Sequence, residues 1–269
     1  MRTRKTGPDD IPALKALWKE AFPEDTAADI DAFFETLYPH AFGFCAEEDG
    51  AVVSMLFALP QTIVKEEMQL KAAYFYAVAT REDMRGRGCC RTLMAYAEKE
   101  LHKRYIEAVL LCPATQKLAA FYETLGYSRQ GGMRKEALAC AQPSGQAKEI
   151  GVQDYAGLRE TLLWDVPHVR YDRAQLEYAA DGGKFYCLMT PYGMGCAQVC
   201  RTADGQNACV REILPSAGDL PALAGQLGSG TYEVCRSLGT QNGQTWAMLK
   251  WLNEPYVDFE PVYMGFAFD

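Results

Sequence analysis

Histidine is scarce in this chain of 269 residues: only His40, His102 and His168 are present, far apart in sequence. So few offer no Ser-His-Asp set, no Cys–His pair and no metal-ligand spacing, and no metal is expected. Basic charge is also short, with 27 Lys and Arg against 35 Asp and Glu, a net charge of −8. That is the wrong sign for a nucleic-acid footprint; it suits plain solubility or a cationic small substrate. No apolar run approaches a membrane span, and the opening MRTRKTGPDD has no apolar signal core, so no membrane partner and a cytoplasmic location are expected. Two phosphate fingerprints are missing as well. There is no G-x-x-x-x-G-K-[ST], and Gly86-Arg87-Gly88 is followed by Arg91 where a G-x-G-x-x-G needs its third glycine. The ten cysteines are scattered, most in apolar runs such as those of Cys45, Cys112, Cys187 and Cys235; Cys196 and Cys200 are spaced C-x-x-x-C with no second pair. They read as reduced core residues.

With 49% apolar and 23% charged residues, the chain has enough for a real core and the length of one large or two small domains. Its most informative stretch is residues 74–93, YFYAVATREDMRGRGCCRTL. Residues 74–79 are aromatic, β-branched or small and uncharged, which predicts a strand covered on both faces. A polar turn follows at Arg81-Glu82-Asp83, then Arg85-Gly86-Arg87-Gly88. After it Cys90, Leu93, Met94, Ala97 and Leu101 recur at helical spacing. A strand that feeds a glycine loop into a helix start is an anion site: first-turn N–H groups lack partners and the dipole favours negative charge. Arg85, Arg87 and Arg91 add positive charge there, so the segment reads as a pyrophosphate cradle. The alternative is a tight turn with solvated arginines. Cys89 or Cys90 at the helix start also allows a low-pKa thiol, although neither has a C-x-x-C partner.

Elsewhere in the first half, residues 2–6 predict a short strand, and Gly7-Pro8-Asp9-Asp10 opens a helix with Ile11, Leu14, Leu17 and Trp18 on one face. A second helix is expected over 27–37 and a hairpin of strands over 42–45 and 51–59. Further strands are expected over 69–80 and 106–112, with a helix over 89–103 between them. Thr115 is an N-cap and Gly126 a helix end, and a strand pair to 138 should follow.

Arg85, Gly88 and Cys90 match the R-x-x-G-x-[GA] signature of the GNAT (Gcn5-related) N-acetyltransferases, with Cys in place of the last small residue. Ala119-Ala120-Phe121-Tyr122-Glu123-Thr124-Leu125-Gly126-Tyr127 resembles that family's second signature, F-Y-x-x-x-G-F. The resemblance covers residues 1–139. It implies an α/β (α+β) GNAT acyl-CoA N-acyltransferase fold, a mixed central sheet flanked by helices. Acetyl-CoA, the co-substrate, would lie in a split between the strand ending at Thr80 and the strand near Ile106. Backbone groups of Ala77, Val78 and Ala79 would hold the pantetheine arm. Arg85, Gly86, Arg87, Gly88, Cys89, Cys90 and Arg91 would hold the pyrophosphate. Thr115 stands where the family often has Asn. Tyr122 would protonate the leaving thiolate; a phenol of pKa about 10 is neutral at pH 7 and can donate to a thiolate whose acid is near 8.5. The other reading of Tyr122 is a packed core tyrosine. The acceptor would be an amine of a small molecule or peptide that attacks directly. No base is evident: Glu66 and Glu67 read as solvated turn charges. Tyr74 and Tyr76 share a strand face and either line the acceptor side or pack in the core.

Past Cys140, residues 141–147 (AQPSGQA) read as a linker. The chain then starts again: Gly151, Asp154, Leu158 and Arg159 repeat Gly7, Asp10, Leu14 and Lys15 at a constant offset, and a hairpin over 185–189 and 194–200 follows. Strands over 208–214 and 232–235 flank a helix over 219–227, and 246–252 with 257–268 would close the sheet. The expected organisation is a domain over 1–139, a linker over 140–148 and a degenerate GNAT-like lobe over 149–269. Where the coenzyme loop should recur the chain reads LPSAG, without R-x-x-G. This tandem pattern is distantly similar to the Eis-like acetyltransferases, in which the C-terminal carboxylate reaches the active site, and that makes Asp269 an acceptor-side candidate. Trp164, Asp165, His168 and Arg170 form a polar-aromatic cluster that either meets the acceptor or is an ordinary loop. Against an acetyltransferase stands a non-catalytic acyl-CoA-binding pseudoenzyme or sensor. Oligomeric state leaves no mark on the sequence.

Overall fold

The computed structural model describes residues 1–265 apart from 141, 143, 181–182, 192, 202–207, 229, 239–243 and 255. Its strands are β1 Arg2–Lys5, β2 Phe42–Glu48, β3 Ala51–Lys65, β4 Met68–Thr80, β5 Ala108–Leu111, β6 Ser128–Cys140, β7 Gln146–Ile150, β8 His168–Arg170, β9 Lys184–Thr190, β10 Gly193–Arg201, β11 Ala208–Leu214, β12 Gly230–Leu238 and β13 Gln244–Trp251. Its helices are α1 Ile11–Ala21, α2 Ala27–Thr36, α3 Cys89–His102, α4 Gln116–Glu123, α5 Val152–Leu162, α6 Arg173–Ala180 and α7 Leu220–Leu227. They form two compact units. The first comprises Met1–Ile63, Gln69–Ser128 and Met248–Tyr256; the second comprises Val64–Met68, Arg129–Ala247 and the chain from Val257.

In the first unit the strand order is β1-β2-β3-β4-β5-β13. β1 and β2 are antiparallel, as are β2 and β3, whereas β4 and β5 are parallel. One face is covered by α1 and α2. Leu14, Leu17 and Trp18 recur at helical spacing and are buried, as are Ile30, Phe33 and Phe34. α2 starts where it does because Thr26 caps it: the Thr26 hydroxyl accepts from Asp29 N (3.2 Å), and Thr26 N donates to the Asp29 carboxylate (2.7 Å). Trp18 and Phe33 pack on Phe57 of β3, at centroid distances of 5.8 and 4.9 Å. On the other face Leu93, Met94, Ala97 and Leu101 of α3 pack with Leu56, Ala58, Ala73, Phe75, Val109 and Leu111. Each Leu, Met, Phe or Val among them contributes about 1.5–3 kcal/mol by burial, and each Ala less.

The second unit has the strand order β6-β12-β11-β10-β9-β7. Apart from the short β8 its chain order repeats that of the first: a strand, two helices, an antiparallel hairpin, a further strand, a helix, and a strand parallel to that further strand. The helix α6 was not anticipated. Its signal was present, since Asp172 and Gln175 cap it reciprocally (2.8 and 3.1 Å) and Leu176, Ala179 and Ala180 are buried.

Several boundaries differ from the sequence expectations. Residues 128–140 form one strand, not a pair. β6 pairs with β12 from Cys140↔Gly230 to Gly132↔Leu238, so it serves the second unit. Conversely, Met248–Trp251 of β13 pair with β5 in the first unit. The closing strands are thus exchanged between the halves of the sequence, and the first unit's main run ends at Ser128 instead of 139. The expected linker is shorter, because β7 begins at Gln146 and pairs with β9. The expected strand over 257–268 is not formed within the described residues. Val257–Phe259 make a 3-10 turn, and only Tyr263 bridges to His168; Pro261 removes a ladder donor there.

Candidate functional site

The site begins where β4 outlasts its neighbour. The parallel register runs from Ala72↔Ala108 to Phe75↔Leu111; β5 then ends, while β4 continues to Thr80. Within that extension Ala77 has φ +48, a left-handed conformation that costs a residue with a Cβ about 1–2 kcal/mol. Such strain persists only where surrounding structure enforces it. Here the strand end is pinned on its other side: Ser54 Oγ donates to Ala79 O (2.7 Å) and meets Thr80 Oγ1 (2.8 Å), and Arg81 N donates to Val53 O (2.9 Å).

After the 3-10 turn Glu82–Met84 come Gly86 at φ +76 and Gly88 at φ +81. A Cβ built at either glycine meets nothing within 4 Å, so glycine is required for its backbone angle and the space above the loop is open. Gly88 is the N-cap of α3 and offers no capping side chain; the first helical bond is Thr92 N to Gly88 O (3.0 Å). The N–H groups of residues 89–91 therefore face outward without partners among the described residues. Arg85, Arg87 and Arg91 are all exposed around them. Arg85 Nε donates to Thr80 O (3.1 Å), and Arg91 donates to Thr124 Oγ1 (3.0 Å) with its guanidinium 5.8 Å from the Phe121 ring. Arg81 is neutralised by Asp83 (2.6 and 3.0 Å).

The two cysteines at the helix start turn inward. Cys89 donates to Met84 O (3.6 Å) and Cys90 to Met94 Sδ (3.8 Å). Burial pushes the Cys90 thiol up to about 11, helped by Cys89 and opposed by Arg91. For Cys90 this speaks against the low-pKa thiol that a helix start allows, because desolvation outweighs the helix terminus.

α4 supplies the second group. Thr115 Oγ1 accepts from Leu118 N (3.2 Å) and so starts the helix. Tyr122 is 6% exposed, with its ring against Phe121 and Tyr127 (5.5 and 5.9 Å). Its hydroxyl has no hydrogen-bond partner among the described residues. Burial, then the nearby Cys90 and Cys112 thiols, hold this phenol well above its ordinary value, so it stays protonated. Tyr127 behind it donates to Glu98 (2.9 Å), which also accepts from Lys250 (2.6 Å).

On the α1/α2 face, Tyr74 is buried and Tyr76 half-buried, 6.2 Å apart, with Tyr76 against Trp18 and Phe33 (5.6 and 5.4 Å). Strand alternation from Phe57 puts Gln61 on the same face. It is buried, and neither its amide oxygen nor its nitrogen has a partner among the described residues. The sequence carried no sign of this, since a lone Gln in an apolar strand looks like any edge residue.

Other candidates are not assembled with this loop. Glu66 and Glu67 are exposed in a turn, and Glu66 N donates to Trp164 O (2.7 Å). In the second unit a cavity of about 160 Å³ is lined by Val64, Glu66, Glu160, Thr161, Trp164, His168 and Arg170. There Glu160 takes His168 Nε2 (3.2 Å) and Arg170 Nε (2.6 Å); Asp165 is exposed. Asp269 lies outside the described residues. Where the loop would recur, between β11 and α7, no arginine is present, and the N-cap residue of α7 is the buried Asp219, whose side chain makes no capping hydrogen bond. Among the described residues no group of side chains could hold a metal ion, no helix is long and apolar enough to cross a membrane, and all ten cysteines are free.

A mixed sheet whose fourth strand, β4, carries a strained residue and feeds a glycine-capped helix is an α/β arrangement suited to binding an anion. Residues 2–129 match the model of the GNAT acetyltransferase domain family, and they form a GNAT domain. The fold of nearly the whole chain is that of solved GNAT structures. A conserved protein of Enterococcus faecalis V583 described as a probable N-acyltransferase is similar at 16% identity and a TM-score of 0.73, over 93% of this chain and 72% of that one. A GCN5-related N-acetyltransferase from Anabaena variabilis aligns at 16% identity and TM-score 0.73, over 94% and 73%. Eis1 of Mycobacterium abscessus aligns at 14% and 0.63, over 94% and 74%. No curated protein matches the chain in sequence. The expected family and fold class hold.

Proposed function

We propose that this chain is an acetyl-CoA-dependent N-acetyltransferase that moves an acetyl group directly to an amine of a small molecule or peptide. The observation that carries this reading is the open, glycine-capped start of α3 beside the strained end of β4. The residue 89–91 N–H groups and Arg85, Arg87 and Arg91 bind the pyrophosphate. The backbone of Ala77, Val78 and Ala79, beyond the end of β5, takes the pantetheine arm, and Thr115 lies at its edge. Tyr122 holds the proton that the departing thiolate needs. Tyr74 and Tyr76 face the acceptor, and Gln61, with two unused hydrogen-bonding atoms, contributes to that side. The second unit lacks the R-x-x-G loop and its arginines, so the coenzyme is assigned to the first unit.

The test is release of free CoA thiol from acetyl-CoA across an amine panel, with Tyr122→Phe in parallel. Turnover that the variant loses supports the proposal. Acetyl-CoA binding with no amine accepted favours the pseudoenzyme or sensor.

A further inference from the structure

The turn between β3 and β4 and the turn after α5 are tied together within the second unit. Glu66 sits at φ +53, and its N–H donates to Trp164 O (2.7 Å). A residue with a Cβ keeps such an angle only where its surroundings enforce it. The enforced turn brings Glu66 and Trp164 to one cavity of about 160 Å³, together with Val64, Glu160, His168 and Arg170. Part of this lining is satisfied by the fold. Glu160 takes His168 Nε2 and Arg170 Nε, at 3.2 and 2.6 Å, and the buried His168 is fixed from its other side, where Nδ1 lies 2.7 Å from Val166 O. The rest of the lining is unused. The Glu66 carboxylate is exposed and has no ion pair among the described residues. The two terminal guanidinium nitrogens of Arg170 make no hydrogen bond among the described residues, while the bond from Nε to Glu160 fixes the plane of the fork. Trp164 is 52% exposed, and its indole has neither a ring partner nor a hydrogen bond among the described residues. Val64 is buried and gives an apolar wall.

The charges on this lining select what it can hold. A bare anion that faces Arg170 also meets the carboxylates of Glu66 and Glu160, and a bare cation that faces Glu66 also meets Arg170. A ligand with one charge of each sign satisfies both ends. We infer that this cavity binds a small α-amino acid as its zwitterion. The α-carboxylate accepts two parallel N–H bonds from the terminal nitrogens of Arg170. The α-ammonium pairs with Glu66 and lies against the Trp164 ring, whose π face attracts a cation. The side chain meets Val64. Size narrows the class further: a cavity of about 150 Å³ encloses a benzene, a body of about six heavy atoms, which is the size of alanine. Larger side chains are disfavoured. The site gives the second unit a ligand of its own, and it stands independently of the acetyl-transfer reading.

The experiment is equilibrium dialysis of radiolabelled L-alanine against the full-length protein, with unlabelled competitors. Saturable binding of one alanine per chain is expected, with a Kd on the order of 1 mM. Alaninamide keeps only the positive charge and propionate only the negative one, and each should compete at least about tenfold more weakly than alanine. Arg170→Lys keeps the charge without the fork and should weaken alanine about tenfold. Glu66→Gln should weaken alanine about tenfold and leave propionate unchanged. No saturable binding up to about 20 mM overturns the inference. So does equal competition by alaninamide, which would mark a cation site, or by propionate, which would mark an anion site. Wild-type affinity in both variants would place the alanine elsewhere and refute the assignment. Both substituted side chains lie at the surface or partly exposed, and circular dichroism checks that the variants fold. If they do not, the competitor series on the wild type decides.

Discussion

Replacing Tyr122 by Phe removes an oxygen that makes no hydrogen bond among the described residues, whereas the same change at Tyr127 removes one that donates to Glu98. Both rings are buried in the same cluster, so apolar burial is nearly conserved in each variant. The Tyr122→Phe protein should stay within about 0.5 kcal/mol of wild type, because no hydrogen bond is lost. Tyr127→Phe deletes a bond to a carboxylate, which contributes about 1.5–3 kcal/mol. At about 2–4 °C per kcal/mol for a unit of this size, its melting temperature should fall by about 3–12 °C. Activity should divide the other way. Loss of the proton donor at Tyr122 should lower kcat on the order of 100-fold with little change in the acetyl-CoA KM, while Tyr127→Phe keeps kcat at temperatures where it is folded. Since burial keeps the Tyr122 phenol protonated, wild-type kcat should show no loss of this acid up to about pH 9. The assays are thermal unfolding and initial rates on one set of samples. A fully folded Tyr122→Phe with wild-type kcat refutes the assignment of the proton to Tyr122.

Two further predictions concern stability. In the second unit Arg159 is fully enclosed, donating to Glu212 (2.9 Å) and Val169 O (2.8 Å) between the Tyr171 and Tyr263 rings, and Glu212 also takes the Tyr155 and Tyr263 hydroxyls. Arg159→Met should cost about 3–5 kcal/mol in urea unfolding by leaving Glu212 charged and unpaired, and adding Glu212→Leu should recover most of it; a single-variant cost below about 1 kcal/mol would contradict this. In the first unit the Glu100 carboxyl is held at about 2, first by Lys103 and then by Lys5. A depressed carboxylate stabilises the fold above its ordinary value of 4.5 and loses that contribution as pH falls toward 2. The stability gap between wild type and Glu100→Gln should therefore shrink across that interval, and a constant gap would show that the ion pairs contribute nothing.

The loop at Arg85–Gly88 was legible because its chemistry is local: glycines at positive φ, a strand before and a helix after are all written in consecutive residues. The same holds for Thr26 and Thr115, whose caps act within one turn. The exchange of closing strands was not legible. β6 and β13 alternate alike, and a sequence pattern states which residues share a face but not whether the partner is β5 or β12. Ala77 was placed at the site without its left-handed angle, since that conformation is imposed by the pinned end of β4 and has no propensity behind it. Position at a helix start left a reactive thiol open at Cys90, and only its tertiary burial beside Met94 speaks against it. Gln61, Glu98 and Glu212 acquire their meaning only from tertiary neighbours.

The central claim is that the start of α3 binds the pyrophosphate of acetyl-CoA, and calorimetric titration tests it most directly. Acetyl-CoA would be titrated into wild type, Gly88→Gln and Gly88→Glu. Both variants share the cost of a side chain at φ +81, about 1–2 kcal/mol, and neither side chain clashes at its root. They differ in charge. About micromolar affinity in the wild type, weakened in Gly88→Gln and abolished in a folded Gly88→Glu, is the predicted result. Equal affinity in all three would place the coenzyme elsewhere, and no binding to the wild type would leave the GNAT fold without the proposed function.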